Sequence, residues 1–215
     1  MSPGGGFVLP VDKPEGPTSH DVVAEVRRAL GERRIGHTGT LDPFASGLLV
    51  LCVGPATRVA EYLSGLDKTY EATARLGVRT DTLDREGRVL EERAGWQLLG
   101  EEPVVEALER LRGDILQQPP QFSAKKVRGV WMHERARRGE HVPLEPCSVT
   151  VHDIELTMLD PPFVSFRVRC STGTYVRALA RDLGEDLGVG AHLTDRKSTR
   201  LNSSHSQQSR MPSSA

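Results

Sequence analysis

Apolar residues recur every third or fourth position over 20–30, where Val22, Val23, Val26 and Leu30 share one face and predict an amphipathic helix. Thr18 and Asp21 stand at capping-box spacing ahead of it, with Asp in place of the usual Glu or Gln, and Gly31 supplies the stop. Upstream, 7–11 (FVLPV) reads as a short strand running into a turn over 12–17. Downstream, the unbroken apolar run 48–53 (LLVLCV) predicts a buried strand, and 56–64 a second helix ended by Gly65. Alternation over 68–75 (KTYEATAR) predicts a half-buried strand, and the polar turn 80–87 leads to another near Val89, so a hairpin is expected there. Val104, Val105, Leu108 and Leu111 mark a helix over 103–111. Two more strands are expected over 149–158 and 164–170. A last helix over 173–187 carries Tyr175, Arg177 and Arg181 in or near its first turns. These elements follow one another without regular βαβ alternation, which points to an α+β fold rather than a doubly wound sheet.

Composition narrows the class. The 215 residues suit one domain, and the longest apolar stretch, 48–53, is too short to span a bilayer, so a soluble protein with no membrane partner is expected. The first residues lack the basic and apolar regions of a secretory signal. The chain is therefore expected to be cytoplasmic and monomeric, with Cys52, Cys147 and Cys170 as free thiols. There is no CxxC pair and no HExxH, so neither a metal nor an organic cofactor is expected. A phosphate loop, a dinucleotide fingerprint and a complete GxSxG elbow are also missing. Over 196–215 the composition turns abruptly to Ser, Gln and Asn and resembles translated adapter or vector sequence. That stretch holds four basic and no acidic residues, so removing it takes the net charge from −1 to −5. The domain is expected over 1–194, with 195–215 a non-native disordered tail.

Two segments carry candidate chemistry. Residues 36–48 (GHTGTLDPFASGL) hold one carboxylate, Asp42, in a loop kept out of regular helix by Gly36, Gly39, Gly47 and Pro43 and anchored by the apolar run that follows. Two readings of Asp42 stand on the residues alone: a presented acid, or an acid capping its own Asp-Pro turn. Residues 119–141 hold six Lys or Arg against two Glu, interleaved with Phe122 and Trp131. That mixture suits phosphate contacts beside stacking surfaces, with Lys125, Lys126, Arg128, Arg135, Arg137 and Arg138 as candidates. The same run could equally be a solvated face.

Seven segments taken together resemble the TruB family of bacterial tRNA pseudouridine-55 synthases: DKPEGPTSHDVV (12–23), RIGHTGTLDPFASGLLVLCVGPATR (34–58), DKTYEATARLGVRTDTLDREG (67–87), PPQFSAKKVRGV (119–130) with ARRGE (136–140), and CSTGTYVRALARDLGEDLG (170–188) with AHLT (191–194). They occur in the family's order. The resemblance implies a pseudouridine synthase fold, with a mixed, mostly antiparallel central sheet flanked by helices and loops. It also implies a base-flipping enzyme that isomerises a T-arm uridine of tRNA without metal or cofactor. On it Asp42 is the nucleophile, Tyr70 stacks on the flipped uracil, and Arg177 pairs with the aspartate. His37 helps fill the place of the flipped nucleotide, Lys13 is a structural or active-site lysine, Asp84 an RNA-side or structural acid, and Tyr175 shapes the pocket. Attack on ribose C1′, attack on uracil C6 and proton abstraction from the ribose stay open for Asp42. The sequence departs from the family at His133 and Phe122, where tyrosine is usual. After AHLT it lacks the arginine-rich segment and the C-terminal RNA-binding PUA domain. A non-catalytic tRNA-binding or folding module, and an inactive truncated fragment, are the alternatives.

Overall fold

The structure, a computed structural model, describes residues 5–122, 126–127, 130–132, 135, 138, 140 and 142–201. Along the chain run β1 (Phe7–Lys13), α1 (Ser19–Leu30), β2 (Ile35–His37), β3 (Ser46–Val53), a 3₁₀ helix (Gly54–Val59), α2 (Ala60–Ser64), β4 (Lys68–Leu76), β5 (Val78–Thr80) and β6 (Val89–Glu92). A second 3₁₀ helix (Trp96–Leu98) follows, then α3 (Glu101–Arg110), β7 (Gly113–Gln117), β8 (Lys126–Val127), β9 (Val130–Trp131), β10 (Cys147–Asp160), β11 (Phe163–Cys170), α4 (Val176–Asp186) and β12 (Ala191–Leu201). Eight strands form one sheet in the order β1-β3-β12-β4-β11-β10-β7, with β2 paired to β3. Every neighbouring pair is antiparallel except β3 with β12. This is the α+β architecture, with the mixed, mostly antiparallel sheet, that the sequence implied.

The long strands bury alternate residues. In β4 the inward set is Tyr70, Ala72, Ala74 and Leu76, and in β11 it is Val164, Phe166, Val168 and Cys170. On this face α4 lays Val176, Leu179, Ala180 and Leu183 against β12, and α3 lays Val104, Ala107 and Leu108 against β10 and α4. The turn from α4 into β12 is so close that a Cβ on Gly184 would collide with the backbone of Gly190 and Ala191, so glycine is required there. Helix α1 packs beside β2. Its capping box forms with aspartate: Thr18 N donates to Asp21 Oδ2 at 2.8 Å, and Asp21 N donates to Thr18 Oγ1 at 3.1 Å. Gly31, at φ 62°, turns the chain out of the helix in the left-handed conformation.

Three expectations are corrected. The helix over 173–187 begins at Val176, because Gly173 sits at φ +83° in the turn before it. The helix over 56–64 divides into a 3₁₀ stretch led by Pro55 and the short α2. Residues 195–201, expected in a disordered tail, extend β12 and pair with both β3 and β4. Strand pairing uses backbone groups, so a segment free of proline can join a ladder whatever its side chains.

Candidate active site

The loop between β2 and β3 presents Asp42, and its backbone is gripped by the segment from the end of β1 to the start of α1. Ser19 Oγ accepts from Leu41 N at 2.9 Å and donates to Leu41 O at 3.1 Å. Gly16 N donates to Pro43 O at 2.8 Å. Lys13 is wholly buried, and its Nζ donates to the carbonyls of Pro14 at 2.8 Å, Pro43 at 3.2 Å and Ala45 at 2.6 Å. Thr38 N bonds Val50 O on β3 at 3.0 Å, and Ala45 N closes a turn on Asp42 O at 3.1 Å. The backbone on either side of Asp42 is fixed, leaving its carboxylate 22% exposed.

One basic side chain of α4 then ties this loop to the hairpin turn. Arg177, with 7% of its side chain exposed, donates from Nη2 to Asp42 Oδ1 at 3.3 Å and to Phe122 O at 2.8 Å. Its Nη1 donates to Thr82 O at 2.8 Å and Asp84 Oδ2 at 3.3 Å. Asp84 is buried. Its Oδ1 accepts from Thr82 Oγ1 at 2.5 Å and Glu86 N at 3.1 Å, so it braces the turn and the guanidinium together. The turn also holds Leu83 at φ 64°, a strained conformation for a non-glycine residue, with its carbonyl bonded to Leu193 N at 3.0 Å. Arg196 from β12 brings Nη2 to 3.2 Å from Asp42 Oδ2, yet its Nε and Nη2 make no aligned hydrogen bond. The Arg196 contact is coulombic and poorly directed, so Arg177 is the group that orients the acid.

Among the described residues lining a cleft of about 510 Å³, which include His37, Thr38–Thr40, Lys68, Tyr70, Thr172–Val176, Arg177 and Arg196, Asp42 is the only carboxylate. Burial pushes the Tyr70 phenol up to about 12, with Cys170 and Asp42 adding to the rise and Arg196 opposing it. It therefore faces the cleft as a neutral hydroxyl-bearing ring. The guanidinium of Arg196 lies 5.3 Å from the centre of that ring. Burial lowers the pKa of His37, and His20, edge-on at 5.3 Å between ring centres, lowers it further. Lys68 is lowered by burial, and its Nζ caps α2 by donating to the carbonyls of Ser64 and Leu66 at 2.9 Å each. Lys13 is likewise held below its ordinary value by burial and by Arg196.

The fold thus brings together Asp42, Tyr70, Arg177, His37 and Tyr175, whose sequence positions range from 37 to 177. Lys13 and Asp84 lie behind the loop and the guanidinium instead, where burial removes them from any RNA surface. Of the two roles considered for each, the geometry fits the structural one. Lys125, Arg128 and Arg137 lie outside the described residues, as does the side chain of Lys126 in β8, while Arg135 is half-buried and Arg138 exposed. Among the described residues no three His, Cys, Asp or Glu side chains gather as a metal centre would need. Nor is any described helix long and apolar enough to cross a membrane. Sequence reasoning passed over Ser19, Lys68 and Gln117. Ser19 and Gln117 bond backbone groups of distant segments and Lys68 the carbonyls just before it, and no side-chain pattern announces any of these.

An eight-stranded mixed sheet carrying this acid and arginine over a cleft defines the chain as a pseudouridine synthase by fold. A chain in the structure of a Cbf5–Nop10–Gar1 complex shares it at 33% identity and a TM-score of 0.69, over 90% of this chain and 48% of that one. A chain in an H/ACA RNP bound to a substrate RNA containing 2′-deoxyuridine does so at 29% identity and 0.66, over 90% and 47%. The profile of the TruB family pseudouridylate synthase N-terminal domain matches residues 27–176, and the chain belongs to that family. It is 54% identical over 203 residues to tRNA pseudouridine synthase B of Thermobifida fusca, covering 90% of this chain and 69% of the relative. It is 49% identical over 191 residues to the protein of that name from Opitutus terrae, covering 86% and 77%. The chain spans about half the length of the solved chains it matches.

Proposed function

We propose that the chain acts as a cytoplasmic monomer and converts the T-arm uridine at position 55 of tRNA to pseudouridine, with Asp42 as nucleophile. The Asp42–Arg177 ion pair at the floor of a cleft faced by Tyr70, in a chain of this family, carries the proposal. A uridine inside a helical stack does not expose its reacting atoms, so the nucleotide must be extruded into the cleft, which is large enough for one base and its ribose. There the N1–C1′ bond breaks, the uracil turns, C5 bonds to C1′, N1 takes up a proton, and the C5 proton is lost. Arg177 fixes the direction of the Asp42 carboxylate during these steps, and the neutral ring of Tyr70 provides a stacking face for the detached base. His37, at the end of β2 and in the lining of the cleft, offers a half-buried imidazole to stack into the gap left in the RNA. With the net charge over 1–195 at −5, affinity for tRNA rests on the local basic segment and falls as salt rises.

The test is release of tritium from a tRNA transcript labelled at uracil C5. One equivalent per tRNA, abolished in Asp42→Asn while tRNA binding persists, is the expected result. Binding without release from the wild type would instead describe a non-catalytic RNA-binding module.

A further inference from the structure

Gln117 ends β7, is 1% exposed, and bonds the backbone of Tyr175. Its Oε1 accepts from Tyr175 N at 2.8 Å and its Nε2 donates to Tyr175 O at 3.1 Å, so one amide grips both backbone groups of a residue 58 positions away, while that carbonyl also accepts from Ala178 N at 3.0 Å and Leu179 N at 3.2 Å in the helix. Tyr175 is the N-cap of α4 and has no side-chain capping bond of its own. Two further bonds join the same segment to the first turns of that helix: Arg181 Nη1 donates to Gln118 O at 3.1 Å, and Arg177 Nη2 donates to Phe122 O at 2.8 Å. Nη2 is also the atom that reaches Asp42.

We infer that Gln117 is a positioning residue for the reaction proposed above: it sets where α4 begins and so the placement of Arg177 against Asp42. The inference rests on the synthase reading for its kinetic consequence, but not for its geometry. A primary amide presents a donor and an acceptor side by side to match a backbone N–H and C=O, which an ionised carboxylate, an acceptor only, does not. Arg177 lies two residues beyond the clamped backbone. A small rotation of the first turn therefore carries its guanidinium away from a contact that is already 3.3 Å long. Misplacement by about an ångström at such a distance costs roughly 100-fold in rate.

Two variants separate positioning from mere support. Gln117→Glu keeps shape and acceptor but, when ionised, no longer donates to Tyr175 O, which retains only its helix donors Ala178 N and Leu179 N, and Gln117→Met keeps the length and removes both bonds of the clamp. Each is measured by single-turnover tritium release at saturating tRNA, by the tRNA dissociation constant, and by the crystal structure of the variant. The expected result is a rate loss of roughly 10- to 100-fold, a dissociation constant within about twofold of wild type, and an Arg177–Asp42 separation beyond ion-pair range. Unchanged rates in both variants, or a rate loss matched by an equal loss of affinity, would overturn the inference. So would a variant crystal structure with the ion pair intact. If the wild-type chain itself releases no tritium, the synthase reading fails, and the crystallographic distance still decides the clamp.

Discussion

Lys13 shows how one buried charge can serve a loop it does not belong to. Among the described residues its ammonium has no carboxylate in hydrogen-bond contact and donates to three carbonyls, two of them just after Asp42 in sequence. Lys13→Met fills similar space but takes this donor from the Pro14 and Ala45 carbonyls, while Pro43 O keeps Gly16 N. Unfolding by denaturant is expected to show a loss of about 3 kcal/mol, since each unsatisfied buried group costs about 1–3 kcal/mol. Tritium release is expected to fall with it, because the loop is freed at Ala45 and held at Pro43 by Gly16 N alone. His192 makes a second prediction at this scale. It is buried, and its Nδ1 sits 2.9 Å from Val78 O. Burial holds its pKa below the ordinary 6.5, with only partial opposition from that bond, and His37 is lowered in the same sense. The unfolded chain therefore takes up protons that the folded chain refuses as pH falls below 6.5. The stability from the neutral rings is complete above that pH and is lost progressively below it. The melting temperature is expected to fall between pH 7 and 5, and His192→Gln to flatten that slope; an unchanged slope would remove His192 from the account.

Helix α4 concentrates the constraints among the elements, since it carries Arg177, packs on β12, and ends in a turn without room for a side chain. Gly184→Ala is favourable by helix propensity by about 1 kcal/mol, yet its methyl meets the backbone of Gly190 and Ala191. Overpacking of this kind costs about 1–3 kcal/mol and outweighs the gain. A lower melting midpoint, with the Arg177 end of the helix intact and single-turnover rates near wild type, is the expected result. The elements legible in the sequence were those with a period or a cap: α1 through its Thr18–Asp21 box, β3 through its apolar run, and β4, β10 and β11 through alternation. Those that escaped had neither. β2 is three residues long. β7 begins at a glycine, and its solvent-facing Leu116 breaks the polar side of the pattern. β12 is strand by pairing and carries Asp, Arg, Lys, Ser and Thr in its second half. The site was legible in the same uneven way. Asp42, Tyr70, Arg177 and His37 stand in recognisable motifs, whereas Ser19 and Gln117 bond backbone groups 22 and 58 residues away, which only the folded chain brings near.

At the scale of the molecule, β12 is the seam. On one side it meets β4 along its length. On the other it meets β3 only through Lys197↔Ser46 and Ser198↔Gly47, so the β1–β3 portion of the sheet joins the rest through residues that composition assigned to a foreign tail. The side chains fit that place poorly. Arg196 is buried with Nε and Nη2 unbonded, and Ser198 occupies an inward position with no apolar group to pack. What the segment contributes is backbone pairing and coverage of two strand edges. A chain ending at Thr194 keeps Leu193 and Ala191 in the core and the Asp42–Arg177 pair in place, but it leaves the facing edges of β3 and β4 unpaired. Its melting midpoint is expected to fall by about 4–8 °C, as a loss of about 2 kcal/mol implies for a domain of this size, with increased binding of a hydrophobic dye. Asp42 loses only the undirected contact with Arg196, so single-turnover tritium release below the new midpoint is expected to stay within about threefold of the full chain, under 1 kcal/mol in the barrier. An unchanged midpoint would mean that 195–201 does not occupy the seam in solution. A collapse of the rate with the midpoint preserved would instead make Arg196 a working partner of Asp42.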